Sequence, residues 1–463
     1  MYFQKGDFKV LFSLAAPLLL SSFIEASLGF TSNIFLAHLG PTALGAGSLI
    51  VWFFATLMVI IWGLFTAVSV LVSYHHGAND NKAVGLVLRD SLGLGILLAI
   101  PVSILIHNMS PVLIYLGQAP FVISRALPYL HALSWTVLPD FVSLILLQFI
   151  IGLGKTRVNL LFSLTWVPIN ILLNYLFIFG KLGFPALGIA GLGWGTTASF
   201  CLLTIFLFIY LITNSDYRKY WTGLKQATKP MYIKELIKVG LPMGFMFCLE
   251  IACFFTITLI MGTIGVNALA ANQLAMQYVG FFGALSFAIA QAITVRMSNQ
   301  LGAGHPDVAN RAAYIGIILS VGFTLIVAWM EWFYPKILIG LDFNLNQIHN
   351  TAMINMAIHT LAIAAFFQLA ESIRISLFGA LRALKETKFT LFTSFIGFWC
   401  VGILGGYVLD HYFEIGTYSY WYALALGAFF NALLLYWRYR IKITDFTRAK
   451  DNVNPMTSAE VPS

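Results

Sequence analysis

Four carboxylates stand where carboxylates are scarce. Glu250 lies near the middle of Gly240–Ile264, GLPMGFMFCLEIACFFTITLIMGTI, and Glu25, Asp140 and Glu371 sit in similar apolar surroundings. About 20 apolar residues cross the hydrocarbon of a bilayer. A charge placed there is costly, so it pairs, takes a proton or faces water. Two acids sharing a dry site cannot both ionise cheaply; one is protonated, or a cation is bound between them. The chemistry open to these residues is therefore reversible binding of H+ or of a hard cation such as Na+. The structural alternative is a protonated carboxyl hydrogen-bonded to a neighbouring helix. Arg374 follows Glu371 by three residues and shares its helix face. It reads equally as part of that chemistry or as a partner that hides two charges. Asn170 and Asn174 read as interhelical contacts, with Asn174 also a possible cavity-lining residue. Gln273, Gln277 and Tyr278, on the eighth apolar run, are expected in helix packing or along the same cavity as Glu250.

Other chemistry lacks its residues. The nine histidines show no metal-ligand spacing, and no HExxH, Walker loop, GxGxxG or nucleophile elbow occurs. ATP hydrolysis on this chain is excluded, and no cofactor is expected beyond a coupling ion. The four cysteines form no CxxC pair, which indicates neither a disulfide framework nor a zinc site. The net charge of +8 is spread among loops and does not suggest nucleic acid.

The elements that must hold these acids are membrane helices. Of 463 residues 59% are hydrophobic and only 10% charged, against about 25% charged in soluble domains; mean hydropathy is +0.86. Twelve apolar runs are read, at about 8–37, 42–74, 84–108, 120–150, 157–180, 186–213, 233–263, 268–299, 309–335, 346–381, 388–412 and 416–441. Pro17, Pro101, Pro139, Pro168 and Pro242 fall inside them and predict kinks. The first run has no small-residue cleavage site and continues to spanning length, so no cleaved signal is expected. Lys and Arg crowd one set of loops, whereas the opposite set holds only about three, Arg125, Lys181 and Lys336. That bias predicts both termini in the cytoplasm.

The two halves repeat. At an offset of 225, Pro17 meets Pro242, Glu25 meets Glu250, and GPTALGA meets GVNALAA. At 231, Asp140 meets Glu371 and Lys155-Thr156-Arg157 meets Glu386-Thr387-Lys388. Six spans per half leave both halves in one orientation, so the symmetry axis is expected along the membrane normal. The reading is an all-α polytopic membrane protein of two six-helix lobes: 1–213, a cytoplasmic inter-lobe linker at 214–232, 233–445, and a cytoplasmic tail at 446–463.

The glutamate in GLPMGFMFCLEIACFF, the run ALAANQLAMQ, the turn NQLGAG, PINILLNYLFIFGKLGFPALGIAGLGWGTTAS and FFQLAESIRISLFGALRALKETK together resemble the MATE (multidrug and toxic compound extrusion) transporters, and among them the NorM-like group, over nearly all of residues 8–441. The resemblance implies two lobes around a central cleft and export of drugs in exchange for Na+ or H+. It implies that Glu250 and Glu371 bind the coupling ion, with Glu25 and Asp140 as secondary acids. Two positions depart from the family pattern. Ser32 stands where many members carry a first-helix aspartate, and Phe367 where Na+-coupled members carry a tyrosine. Glu25, seven residues before Ser32, points the same way and would compensate about 10 Å along the axis. Expected partners are small-molecule drugs and membrane lipid, with no nucleic acid, for a monomer in a bacterial inner membrane. A lipid or polysaccharide flippase of the same superfamily is the alternative, disfavoured because the buried charges are mainly acidic. An ion channel lacks its filter loop.

Overall fold

The computed structural model describes residues 5–115, 117, 120–224, 226, 229–343 and 351–453. The end of the expected tail, the opening of the tenth run at 346–350 and Lys225 of the expected linker lie outside them. Among the described residues there is no strand, and twelve helices are long and apolar enough to cross a membrane. In chain order they are α1 (Lys5–His38), α2 (Pro41–Gly77), α3 (Asn81–His107), α4 (Pro120–Gly152), α5 (Thr156–Phe179) and α6 (Ile189–Thr213), then α7 (Ile233–Ile264), α8 (Val266–Gly302), α9 (Pro306–Phe333), α10 (Thr351–Ala383), α11 (Thr387–Phe413) and α12 (Ser419–Val453). They coincide with the twelve apolar runs to within a few residues at most ends.

Contacts divide the chain into two compact units, one of Ala16–Gly244 and one of Met1–Ala15 with Phe245–Ser463. This differs from a boundary at 214–232. The segment read as a linker folds onto the first unit: Tyr217 and Tyr220 are buried, and the Asp90 carboxylate accepts from the backbone N–H groups of Met231 (2.7 Å) and Tyr232 (2.8 Å). Arg89 grips Asp90 and the Gln226 carbonyl. The start of α7 belongs to the same unit because Gly244 brings its backbone against Ile60; a Cβ at Gly244 would lie 2.2 Å from the Ile60 carbonyl oxygen. Small residues are what permit such helix contacts where no hydrophobic effect draws helices together. The first residues of α1 pack in the other unit, where Asp7 pairs with Arg311 at 3.2 Å.

Within the first unit, α5 and α6 are joined by a polar seam. Asn174 donates to Asn170 (2.8 Å), Asn170 donates to Ser199, and Thr136 and Thr197 share a bond of 2.6 Å between α4 and α6. Each polar atom buried in lipid must find a partner inside the protein, and this seam supplies them. Within the second unit the core is aromatic. Phe367 is completely buried, edge-on to Phe254 (6.1 Å) and Trp421 (6.1 Å), and Trp421 donates to Asn272 at 3.1 Å. Middle residues Ile396–Leu404 of α11 form a π-helical stretch, longer than the single wide turn usual for π geometry.

Candidate functional site

In the second unit, α7 supplies Glu250, α10 supplies Glu371 and Arg374, and α11 supplies Ser394. The three-residue spacing on α10 lets Arg374 fold back over Glu371: its Nε donates to Glu371 Oε2 at 2.7 Å and its Nη2 donates to Oε1. Across the helix interface Nη1 comes within 2.8 Å of Glu250 Oε1 and donates to Ser394 Oγ at 3.3 Å. The guanidinium carbon stands 5.1 Å above the Phe398 ring. The Nη1 approach leaves Glu250 Oε1 in charge contact without an aligned hydrogen bond. All three charged side chains are buried.

Two carboxylates and one guanidinium carry a formal charge of −1 when all are ionised. A net charge in a desolvated site is unfavourable by several kcal/mol, and one further positive charge would balance the group. The guanidinium meets both oxygens of Glu371 by hydrogen bonds but Glu250 only by charge contact at Oε1, so Glu250 is the less engaged of the two acids. A proton needs one oxygen; Na+ is a hard cation that needs several.

The first unit is built differently. Glu25 (α1) and Asp140 (α4) border a cavity of about 510 Å³ whose walls include Trp62, Tyr129, Trp166, Asn170 and Phe200. Their contacts are to neutral donors. Ser163 Oγ donates to Glu25 Oε1 at 2.7 Å, and Trp62 Nε1 donates to Asp140 Oδ2 at 3.4 Å. Ser32, at the position where the family resemblance places an aspartate, borders the same cavity as Glu25.

The remaining sequence-derived residues divide. Asn170 reaches the cavity, while Asn174 sits one turn on and is consumed by bonds to Asn170 and Thr196. Tyr278 is buried and donates to the Leu338 carbonyl at 2.9 Å; Gln277 is exposed and faces Asp342; Gln273 is exposed. The structure therefore does not gather these three around Glu250, because the face of α8 that carries Tyr278 packs into the aromatic core and the face with the glutamines turns outward. Phe367 likewise belongs to that core. Sequence reasoning missed the reach of Arg374 to Glu250, since contacts between helices have no spacing signal. It also missed Glu331 on α9, a fully buried carboxylate against Gln368.

The MatE family model matches residues 17–176 and 242–408. A probable multidrug resistance protein NorM of Pseudomonas aeruginosa is 32% identical over 91% of this chain and 86% of its own. One of Brucella suis is 29% identical over 93% of this chain and 92% of its own. The fold is also that of a MATE crystal structure in the bent conformation (18% identity, TM-score 0.87, 97% of this chain and 100% of that one). A eukaryotic MATE transporter superposes with a TM-score of 0.80 at 18% identity, over 96% of this chain and 99% of that one. With matching segments in both halves and relatives along nearly its whole length, the chain belongs to the MatE family of membrane transporters.

Proposed function

We propose that this protein, a multidrug efflux transporter of a bacterial inner membrane, is driven by protons and exports amphipathic cations. The observation that carries the coupling half is the Glu250–Arg374–Glu371 group, one positive charge short of neutrality and with Glu250 held only by charge contact. Uptake of one proton at Glu250 completes its charge balance without displacing Arg374. A Na+ shell would have to take oxygens from the guanidinium, and Phe367, sealed among Phe254 and Trp421, offers none.

The substrate half rests on the cavity in the first unit. Its carboxylates hold no built-in cation partner, and its aromatic walls present ring faces to which an organic cation is attracted. Such a pocket favours a flat, positively charged molecule over a phosphate or a sugar. Proton and drug each change the other's affinity by the same factor, so the transporter works by alternating access with export against proton entry. The Lys and Arg bias among the loops supports a cytoplasmic position for both termini.

Purified protein in lipid vesicles, given a fluorescent aromatic cation, tests this with the Na+ and pH gradients imposed separately. An inward proton gradient alone should drive export. Export that requires Na+, whatever the pH gradient, overturns the proton reading.

A further inference from the structure

A second carboxyl in the 245–463 unit is built to hold a proton, apart from the Glu250 group. Glu331 on α9 is fully buried, and its side-chain hydrogen bonds come from the Gln368 amide of α10: Nε2 lies 2.8 Å from both carboxylate oxygens. No lysine, arginine or histidine among the described residues pairs with it. At the same time Gln368 Oε1 is buried with no hydrogen-bond partner. That is an odd pairing for an ionised acid. A buried carboxylate facing one neutral NH2 group is poorly compensated, and an orphaned amide oxygen adds its own desolvation cost.

The charge fault vanishes if the carboxyl carries a proton, because a carboxylic acid donates its O–H to an amide oxygen. The oxygen and nitrogen of a glutamine amide exchange places by a half-turn about the last side-chain bond, which puts Oε1 where Nε2 stands, 2.8 Å from both carboxyl oxygens, to accept that proton. The elements packed on α9 include α8, α10, α12 and the short helix Pro335–Asp342, and at the end of α9 far from Glu331 the first turns of α1, where Asp7 is paired with Arg311. From α8 the titratable group facing Glu331 is Tyr278, whose hydroxyl is committed to the Leu338 carbonyl, and Asp342 of the short helix stands beyond it. On α10, Glu371 and Arg374 are bound to each other. None supplies a countercharge to Glu331.

The geometry points to Glu331 as a proton-binding carboxyl, held neutral against Gln368 and separate from the Glu250–Arg374–Glu371 group. Gln368 and Glu371 are three residues apart, on one face of α10, so the two sites are neighbours along that helix. This goes beyond the coupling reading and stands whether the transported counter-ion is H+ or Na+.

Infrared difference spectroscopy of the full-length protein in lipid vesicles tests it without any transport measurement. At neutral pH, subtracting Glu331→Gln from the wild type should show loss of one protonated-carboxyl C=O band. Adding Na+ should leave that band in place. Gln368→Leu retains the band but shifts it, because the amide partner is gone. Loss of carboxylate stretches instead of the C=O band in Glu331→Gln overturns the inference. So does a Gln368→Leu spectrum with no change in the C=O region, and this variant decides alone if Glu331→Gln fails to insert.

Discussion

The two halves of the sequence carry acids at matched positions and handle them in opposite ways. At the offset that matches Asp140 to Glu371, Arg374 falls on Ser143 and Ser394 falls on Ser163. In the second unit the arginine takes both acids, and Ser394 binds the arginine. In the first, Ser143 turns to its own backbone at Asp140, and Ser163 serves Glu25 directly. One substitution, arginine against serine, thus separates a group that holds a guanidinium between its acids from a cavity whose acids meet neutral donors. The loops differ in the same spirit. Lys155 pairs with Asp216, whereas Glu386 at the matched position pairs with Arg438 (2.9 Å) and Lys442 (3.0 Å).

The comparison is broken most directly at Arg374. Arg374→Leu strands two buried carboxylates and should cost about 3–5 kcal/mol, read as a lower midpoint of thermal unfolding in lipid; Ser143→Ala should change it by no more than about 0.5 kcal/mol. Adding Glu371→Gln to the arginine variant should recover part of the loss. Equal damage from both single variants would show that the contrast is not electrostatic.

Transport sharpens it next. Glu250→Gln keeps the shape and removes the proposed proton site, so gradient-driven efflux should fall by about 100-fold, some 2.7 kcal/mol. Glu25→Ala should leave measurable coupled efflux, since the first unit is assigned to substrate. Loss as complete as that of Glu250→Gln would reverse the assignment. In the cavity, Trp62→Phe removes the donor to Asp140 and should alter binding of an aromatic cation by roughly three- to tenfold, the worth of a hydrogen bond of about 0.5–1.5 kcal/mol. An unchanged titration would mean that Asp140 does not meet the ligand.

The smallest effect is at the loops. Burial pushes the Glu386 carboxyl up, but the hydrogen bonds and charges of Arg438 and Lys442 outweigh it and hold the group below its usual range. Asp216 is held low by its hydrogen bond to Lys155 and by that lysine's charge. A carboxyl depressed in the folded state contributes stability above its unfolded pKa, and loses it as pH falls through the folded value. Although the polarity at the matched position is inverted, both clips should therefore weaken in acid below about pH 4. Glu386→Gln should flatten the Glu386 part of that unfolding profile, by a few tenths of a kcal/mol for a half-buried pair open to solvent screening.

What could be read from the chain beforehand follows from what leaves a local mark. Apolar runs of spanning length are local, so all twelve helices were legible, as were the four acids inside them. The bond of Arg374 to Glu371 was legible too, because three residues along a helix is a fixed geometry. The reach of Arg374 to Glu250 was not, since it depends on how α7 and α10 pack. Trp62 gave no sign that it serves Asp140, because a tryptophan in an apolar run normally reads as core or lipid-facing. Glu331 sits among Trp329, Trp332 and Phe333 near the end of its run, where an acid reads as solvated; only packing reveals that it is sealed.

The packing of residues 214–224 and 229–244 within the 16–244 unit has a consequence for anyone who would divide the gene. A break between residues 225 and 229, at the natural-looking gap between the repeats, would put Gly240 and Gly244 on the second polypeptide, although their packing partners Leu64 and Ile60 are on the first. It would also strip the Asp90 carboxylate of the two N–H groups that cap it. Fragments made there are interdependent pieces to be co-expressed, and a fusion or affinity tag inserted at that gap would strain the Asp90 clasp.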